Sequence, residues 1–211
     1  MIVRMLRVAT GGVLFILASG ALAQQTNPNP WYVGVGAGGA WNSDQKFNGG
    51  VATVATKTGL TANGAFGRYL DDLRVIRVEV ETLYDRSDVS NANGASADGD
   101  VSNVGLMFNF LYDIHTDSSW IPYLGGGIGY SWVNFNDISQ NGVTALDDTA
   151  SAFSWQFKGG IAYQFNPSMA VTLGYRYYET NNLSYRDPSG LSVKTGGTRI
   201  QNAELGFRFH F

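Results

Sequence analysis

No cysteine occurs in the 211 residues. A disulfide framework and a thiolate metal site are therefore excluded. An exported chain of core-forming length does not need disulfides, so export stays open. Histidine is scarce too, with only His115 and His210 present. A serine–histidine–acid site needs a histidine beside a hydroxyl and a carboxylate. His115 falls in a short connector, and the closing segment that carries His210 has no Ser or Thr. The reading is therefore non-enzymatic, without cofactor. After residue 23 there is no run of 18 apolar residues. Such a chain crosses a bilayer as strands or not at all. Excess positive charge is also missing. With Arg4 and Arg7 taken from the 14 Lys+Arg, 12 remain against 17 Asp+Glu, a net charge of −5. That balance argues against nucleic acid as a partner. The acidic clusters Asp98/Asp100 and Asp147/Asp148 lack the spacing of an EF-hand loop and read as solvated loop residues, with no metal.

What is there begins with MIVRMLRVATGGVLFILASGALA. Arg4 and Arg7 precede a short apolar stretch, and Ala21-Leu22-Ala23 is a small-x-small cleavage site. Residues 1–23 read as a secretory signal peptide, too short to anchor in a bilayer. Residues 24–30 follow as an N-terminal periplasmic stub, and residues 31–211 hold the patterned part of the chain.

Eight segments in that part alternate with period 2. They run Trp31–Trp41, Thr58–Tyr69, Leu73–Tyr84, Asn103–Asp113, Trp120–Phe135, Ala152–Phe165, Met169–Glu179 and Arg199–Phe211. Each has about the 9–11 residues a tilted strand needs to cross a bilayer, or slightly more. Strands of globular proteins are usually about 5–6 residues long. The connectors alternate as well. Those around Leu70–Asp72, Ile114–Ser119 and Asn166–Ser168 are short. Those at 42–57, 85–102, 136–151 and 180–198 are long and rich in Asn, Asp, Ser and Gly. In an up-and-down barrel this puts all short turns at one end with both termini, and all long loops at the other. The expected fold is all-β: an eight-stranded antiparallel up-and-down transmembrane β-barrel, preceded by a cleaved signal peptide.

The two faces fit two solvents. One carries Val33, Val35, Val80, Leu106, Phe108, Phe110, Ile128, Phe157 and Leu173, with no charge at mid-strand. A lipid-facing Lys or Arg there would cost about 2–4 kcal/mol. Aromatics gather near the strand ends as candidate interface girdles: Trp31, Trp41, Trp120, Trp132 and Tyr163, joined by Tyr32, Tyr69 and Phe135. The other face carries Arg77, Glu79, Glu81, Lys158, Arg176, Glu204 and Arg208. Gly34, Gly36 and Gly38, then Gly125, Gly127 and Gly129, leave room for those long side chains. As the core of a soluble protein this face would be costly. Inside a membrane barrel the charges can pair across the lumen. Eight strands enclose a space just wide enough for side chains to fill.

WYVGVGAGGAW, WIPYLGGGIGYSW, GYRYYE and the closing ELGFRFHF resemble the OmpA-like and opacity-type outer-membrane β-barrel proteins, porin-like surface antigens of Gram-negative bacteria. The resemblance covers the chain after the signal. It implies an outer-membrane location, contact with outer-membrane lipids, and assembly by the barrel-insertion machinery. That machinery reads a C-terminal aromatic strand, here Phe207, Phe209 and Phe211. Envelope integrity and surface interaction are the implied roles, with an external ligand reached through the loops. A small-solute porin or narrow channel is the alternative. The barrel is expected to close the chain, with no peptidoglycan-binding domain after it.

Overall fold

The computed structural model describes residues 30–43, 45–47, 52–92, 95–140, 143–186 and 192–211. The signal peptide and residues 24–29 of the stub lie outside them. Eight long strands carry the alternation: β1 (Trp31–Asn42), β4 (Gly59–Tyr69), β5 (Ile76–Ala92), β7 (Asp98–Asp113), β8 (Trp120–Gln140), β9 (Val143–Asn166), β10 (Met169–Thr180) and β13 (Arg199–His210). Each pairs antiparallel with the next long strand, and β13 returns to β1, as in Val35 opposite Phe207. The ring is closed, so no barrel edge is left to pair with another chain. This is an eight-stranded antiparallel up-and-down barrel.

The termini sit together at the end with the short turns. Phe211 donates its N–H to Trp31 O, and His210 donates to Ser168 O in the turn between β9 and β10. The first short turn shows how locally these ends are set. The Asp71 carboxylate accepts the N–H groups of Val75 and Ile76, at 3.1 and 2.8 Å. Arg74 takes the left-handed conformation, φ 56°. This turn displaces the expected start of the third strand from Leu73 to Ile76. The Ile76 and Val75 N–H groups hold the Asp71 carboxyl below the usual carboxylate range. The turn's contribution is thus present at neutral pH and is lost as pH falls through that lowered value.

At the opposite end the structure corrects the loop expectation. β5 runs on to Ala92, β7 begins at Asp98, β8 reaches Gln140 and β9 begins at Val143. Much of 85–102 and 136–151 is therefore ladder, not irregular loop. Five short strands extend it: β2 (Gln45–Phe47), β3 (Ala52–Thr56), β6 (Ala95–Ser96), β11 (Leu183–Arg186) and β12 (Ser192–Thr195). The extensions also pack. Val89, Val101, Val133, Phe135, Ala152 and Leu183 belong to one buried apolar cluster. Once the barrel sets the register, backbone pairing continues past the membrane even where side chains are polar.

Candidate functional site

The candidate site is the lumen, and β5 gives its axial order. From the short-turn end its inward residues are Arg77, Glu79, Glu81, Leu83, Asp85, Ser87 and Val89, all buried. The interior thus begins charged and ends apolar.

Glu81 is the hub. It accepts from Lys158 Nζ at 2.8 Å, Arg176 Nη2 at 2.7 Å, Asn109 Nδ2 at 2.8 Å and Gln156 Nε2 at 2.9 Å. These donors stand on β7, β9 and β10, so one carboxylate ties four strands. Lys158 also reaches Glu79 at 2.9 Å. Glu79 accepts from Arg77 at 3.0 Å and from the Tyr32 hydroxyl at 2.7 Å. On the other side Arg176 Nε meets Glu204 at 2.7 Å, and Asn63 donates to Glu204 at 2.8 Å. Nearer the short turns, Asp113 gathers Arg77 at 2.8 Å, Arg208 at 3.2 Å and the Tyr69 hydroxyl at 2.6 Å. The Arg77 and Arg208 guanidinium carbons each lie 5.2–5.8 Å from the ring centres of Tyr32 and Tyr123.

The seven charges expected on the inner face thus stand in one connected network. Three residues outside that expected set join them, Asp113, Tyr32 and Tyr69, while Asp85 sits in a separate hydrogen-bonded group. In the sequence Asp113 reads only as a strand end, and Asp85 falls in a long connector. Asp85 accepts from Asn103 at 3.2 Å and Asn202 at 3.0 Å. Tyr32 and Tyr69 read as girdle aromatics from their place near strand ends, as does Phe135. All three point inward and are buried. Their parity along the strand could have found them: Tyr32 falls in step with Gly34 and Gly36, and Phe135 with Gly127 and Gly129. The small inner residues make room. A Cβ on Gly127 would run into the Asn109 side chain.

Desolvating so many charges is expensive, and a lone ion pair seldom compensates. Here each carboxylate of the chain from Asp113 to Glu204 has several donors, many of them charged, which is the strong case. A cavity of 60 Å³ remains beside Tyr32, Asn63, Lys158, Glu204 and Arg208. That is room for only a few waters, at about 10–15 Å³ each. Beyond Glu81, Tyr178 bonds to Ser131, and Ala40, Leu83, Met107 and Ile200 pack around it.

The outer face is the reverse. Leu106, Phe108, Phe110, Leu124, Ile128, Phe157, Leu173 and Leu205 are exposed. Trp31 stacks on Phe66 at 5.1 Å and Trp120 lies tilted against Tyr163 at 4.7 Å near the short turns, while Trp41 and Trp132 are exposed toward the other end. Phe207 and Phe211 are exposed on the outer face, with Phe209 6.4 Å from Phe211. His210 is buried against the rings of Tyr32 and Tyr69, and His115 is exposed in its turn. Among the described residues no cluster of His, Cys, Asp or Glu could hold a metal ion.

A closed antiparallel barrel, apolar outside and charged inside, defines a protein of the transmembrane β-barrel class. The model of the outer membrane protein beta-barrel domain matches residues 11–211, and the chain belongs to that family. It is 37% identical to major surface antigen 4 of Anaplasma marginale over 115 residues. That match covers 51% of this chain and 37% of the antigen, little more than a third of its length. It is 22% identical to outer membrane protein PagN of Salmonella typhimurium over 166 residues, 71% of this chain and 70% of that protein. Among solved structures, Neisserial surface protein A superposes with a TM-score of 0.58 at 19% identity, covering 87% of this chain and 98% of that one. OprG of Pseudomonas aeruginosa gives 0.58 at 17% identity, covering 88% and 98%. These two likenesses concern the fold. The protein is a multi-pass barrel of a Gram-negative outer membrane, surface-exposed, with its apolar face in lipid.

Proposed function

We propose that this barrel is non-enzymatic and plugged, and that it serves envelope integrity and surface contact rather than transport. The observation that carries the reading is the unbroken network from Asp113 through Glu79 and Glu81 to Glu204, capped by apolar layers. The purified protein in a planar bilayer is expected to show no large, stable, open channel. Such channels would overturn the plugged reading. The alternative is a narrow small-solute path. The 60 Å³ cavity favours it, but only if the Glu81 layer opens.

In this reading residues 1–23 are removed on export and residues 24–30 form a periplasmic stub before the barrel at 31–211. Phe207, Phe209 and Phe211 are what the barrel-insertion machinery engages. The long connectors face outward and offer the surface for an external ligand. Protease added to intact cells is expected to cut only within 42–57, 85–102, 136–151 or 180–198. Cleavage at Leu70–Asp72 would reverse the orientation.

A further inference from the structure

Phe110, Gly126 and Phe157 stand side by side in register across β7, β8 and β9. Their row lies on the lipid face. β8 turns its even-numbered residues outward, so the run Gly125-Gly126-Gly127 has its middle glycine facing lipid. One row toward the long connectors, Phe108, Ile128 and Trp155 repeat the arrangement. The side chain missing at Gly126 leaves a trough of 350 Å³ between these rings. Its walls stand proud, with Phe110 51% and Phe157 63% exposed. Its floor is tight. A Cβ on Gly126 would lie 3.1 Å from Gln156 O and 3.3 Å from the Phe157 ring. Gln156 contributes only backbone, because its side chain is buried with Glu81 in the lumen.

The occupant follows from depth, width and chemistry. The trough lies between the Trp120–Tyr163 pair on one side and the Tyr130–Trp132 pair on the other, and is continuous with the lipid-facing surface. Its walls stand on the two strands that flank β8, about 9.6 Å apart between backbones, and the rings narrow the gap between them. Of the side chains lining the trough only that of Trp155 carries a donor, a single indole N–H, which is little for a polar headgroup to hold. A second barrel is a poor fit. A stable protein interface buries about 800 Å² per partner, and a recess between protruding rings keeps another convex wall away. A slender hydrocarbon chain can enter and touch rings on both sides. Each contact is small, but together they add up.

We propose that the trough around Gly126 binds one acyl chain of a membrane lipid, more firmly than the rest of the outer face does. The test uses the full barrel reconstituted in phosphatidylcholine vesicles with a trace of the same lipid carrying a mid-chain diazirine. On illumination, label is expected to concentrate severalfold on the peptides of Phe108–Phe110, Ile128 and Trp155–Phe157, relative to the equally exposed face of Leu173 and Leu205. Gly126→Leu fills the trough and should reduce that label to the level of the reference face, with the heat-modifiable migration of a folded barrel kept. Phe157→Ala removes one wall and should lower it as well, which keeps the test open if Gly126→Leu does not fold. A diazirine fatty acid without headgroup should reproduce the pattern, since the chain alone is recognised. Even labelling around the barrel overturns the proposal. So does unchanged labelling in both variants.

Discussion

Glu81→Ala is expected to destabilise the barrel by about 3–5 kcal/mol, the range for removing one partner of a buried ion pair. The side chain is fully buried and accepts from four groups on three strands. Its loss leaves Lys158 with Glu79 and Arg176 with Glu204 as the one carboxylate partner of each, Arg176 keeping also the Gln156 Oε1 acceptor. Asn109 and Gln156 also lose an acceptor. A second substitution separates this penalty from the net worth of the pair. Glu81→Leu combined with Lys158→Met removes both charges at similar volume, and should recover much of the loss. Arg86→Ala supplies the baseline. Its 3.2 Å pair with Asp100 has a half-exposed guanidinium, and such pairs contribute about 0–1 kcal/mol. Urea unfolding in lipid vesicles, followed by gel migration and tryptophan emission, reads all three. A Glu81→Ala barrel as stable as Arg86→Ala would remove Glu81 from the centre of the network.

The same residues show what a sequence can and cannot carry. Period-2 alternation places Arg77, Glu79 and Glu81 on one face and Ile76, Val78 and Val80 on the other, because one backbone geometry governs both. Strict parity also suffices for Tyr32, Tyr69 and Phe135. Proximity to a strand end misleads there, since girdle and lumen residues alternate at the same height. Register is different. Glu81 and Arg176 are 95 positions apart. Whether they meet depends on the stagger accumulated around the ring, which no local pattern records. The extensions of β5, β7, β8 and β9 escape for a third reason. Past the membrane the outward face meets water and the inward face keeps only scattered apolar residues, Val89, Ala97 and Val101, so SDVSNANGASADGDVS shows little alternation while its described backbone still pairs. Leu183 is the extreme case. A residue in a polar connector joins an apolar cluster with Val89 and Phe135 only because the hairpin of β11 and β12 folds there.

Asp113 carries the second large effect, and it concerns how the ring is locked. The residue ends β7 and gathers Arg77 of β5, Tyr69 of β4 and Arg208 of β13. β13 is the strand whose pairing with β1 closes the barrel. The contact with Arg208 therefore ties the closing strand, across the lumen, to strands formed much earlier in the chain. Removing either partner is not symmetrical. In Arg208→Ala, Asp113 keeps Arg77 and the Tyr69 hydroxyl. In Asp113→Ala, Arg77 keeps Glu79, but Arg208 is left buried without a carboxylate, with the Tyr69 oxygen at 3.1 Å and the rings of Tyr32 and Tyr123 as its partners. Asp113→Ala should therefore cost the more, about 3–5 kcal/mol, and Arg208→Ala distinctly less. In the double mutant the stranded guanidinium is gone. Its loss should fall short of the sum of the singles by about 0.5–3 kcal/mol, the coupling of residues in one network. Unfolding midpoints of the four barrels in the same vesicles measure this directly. Strict additivity would mean that the two side chains do not hold each other, and that closure rests on the β1–β13 ladder alone.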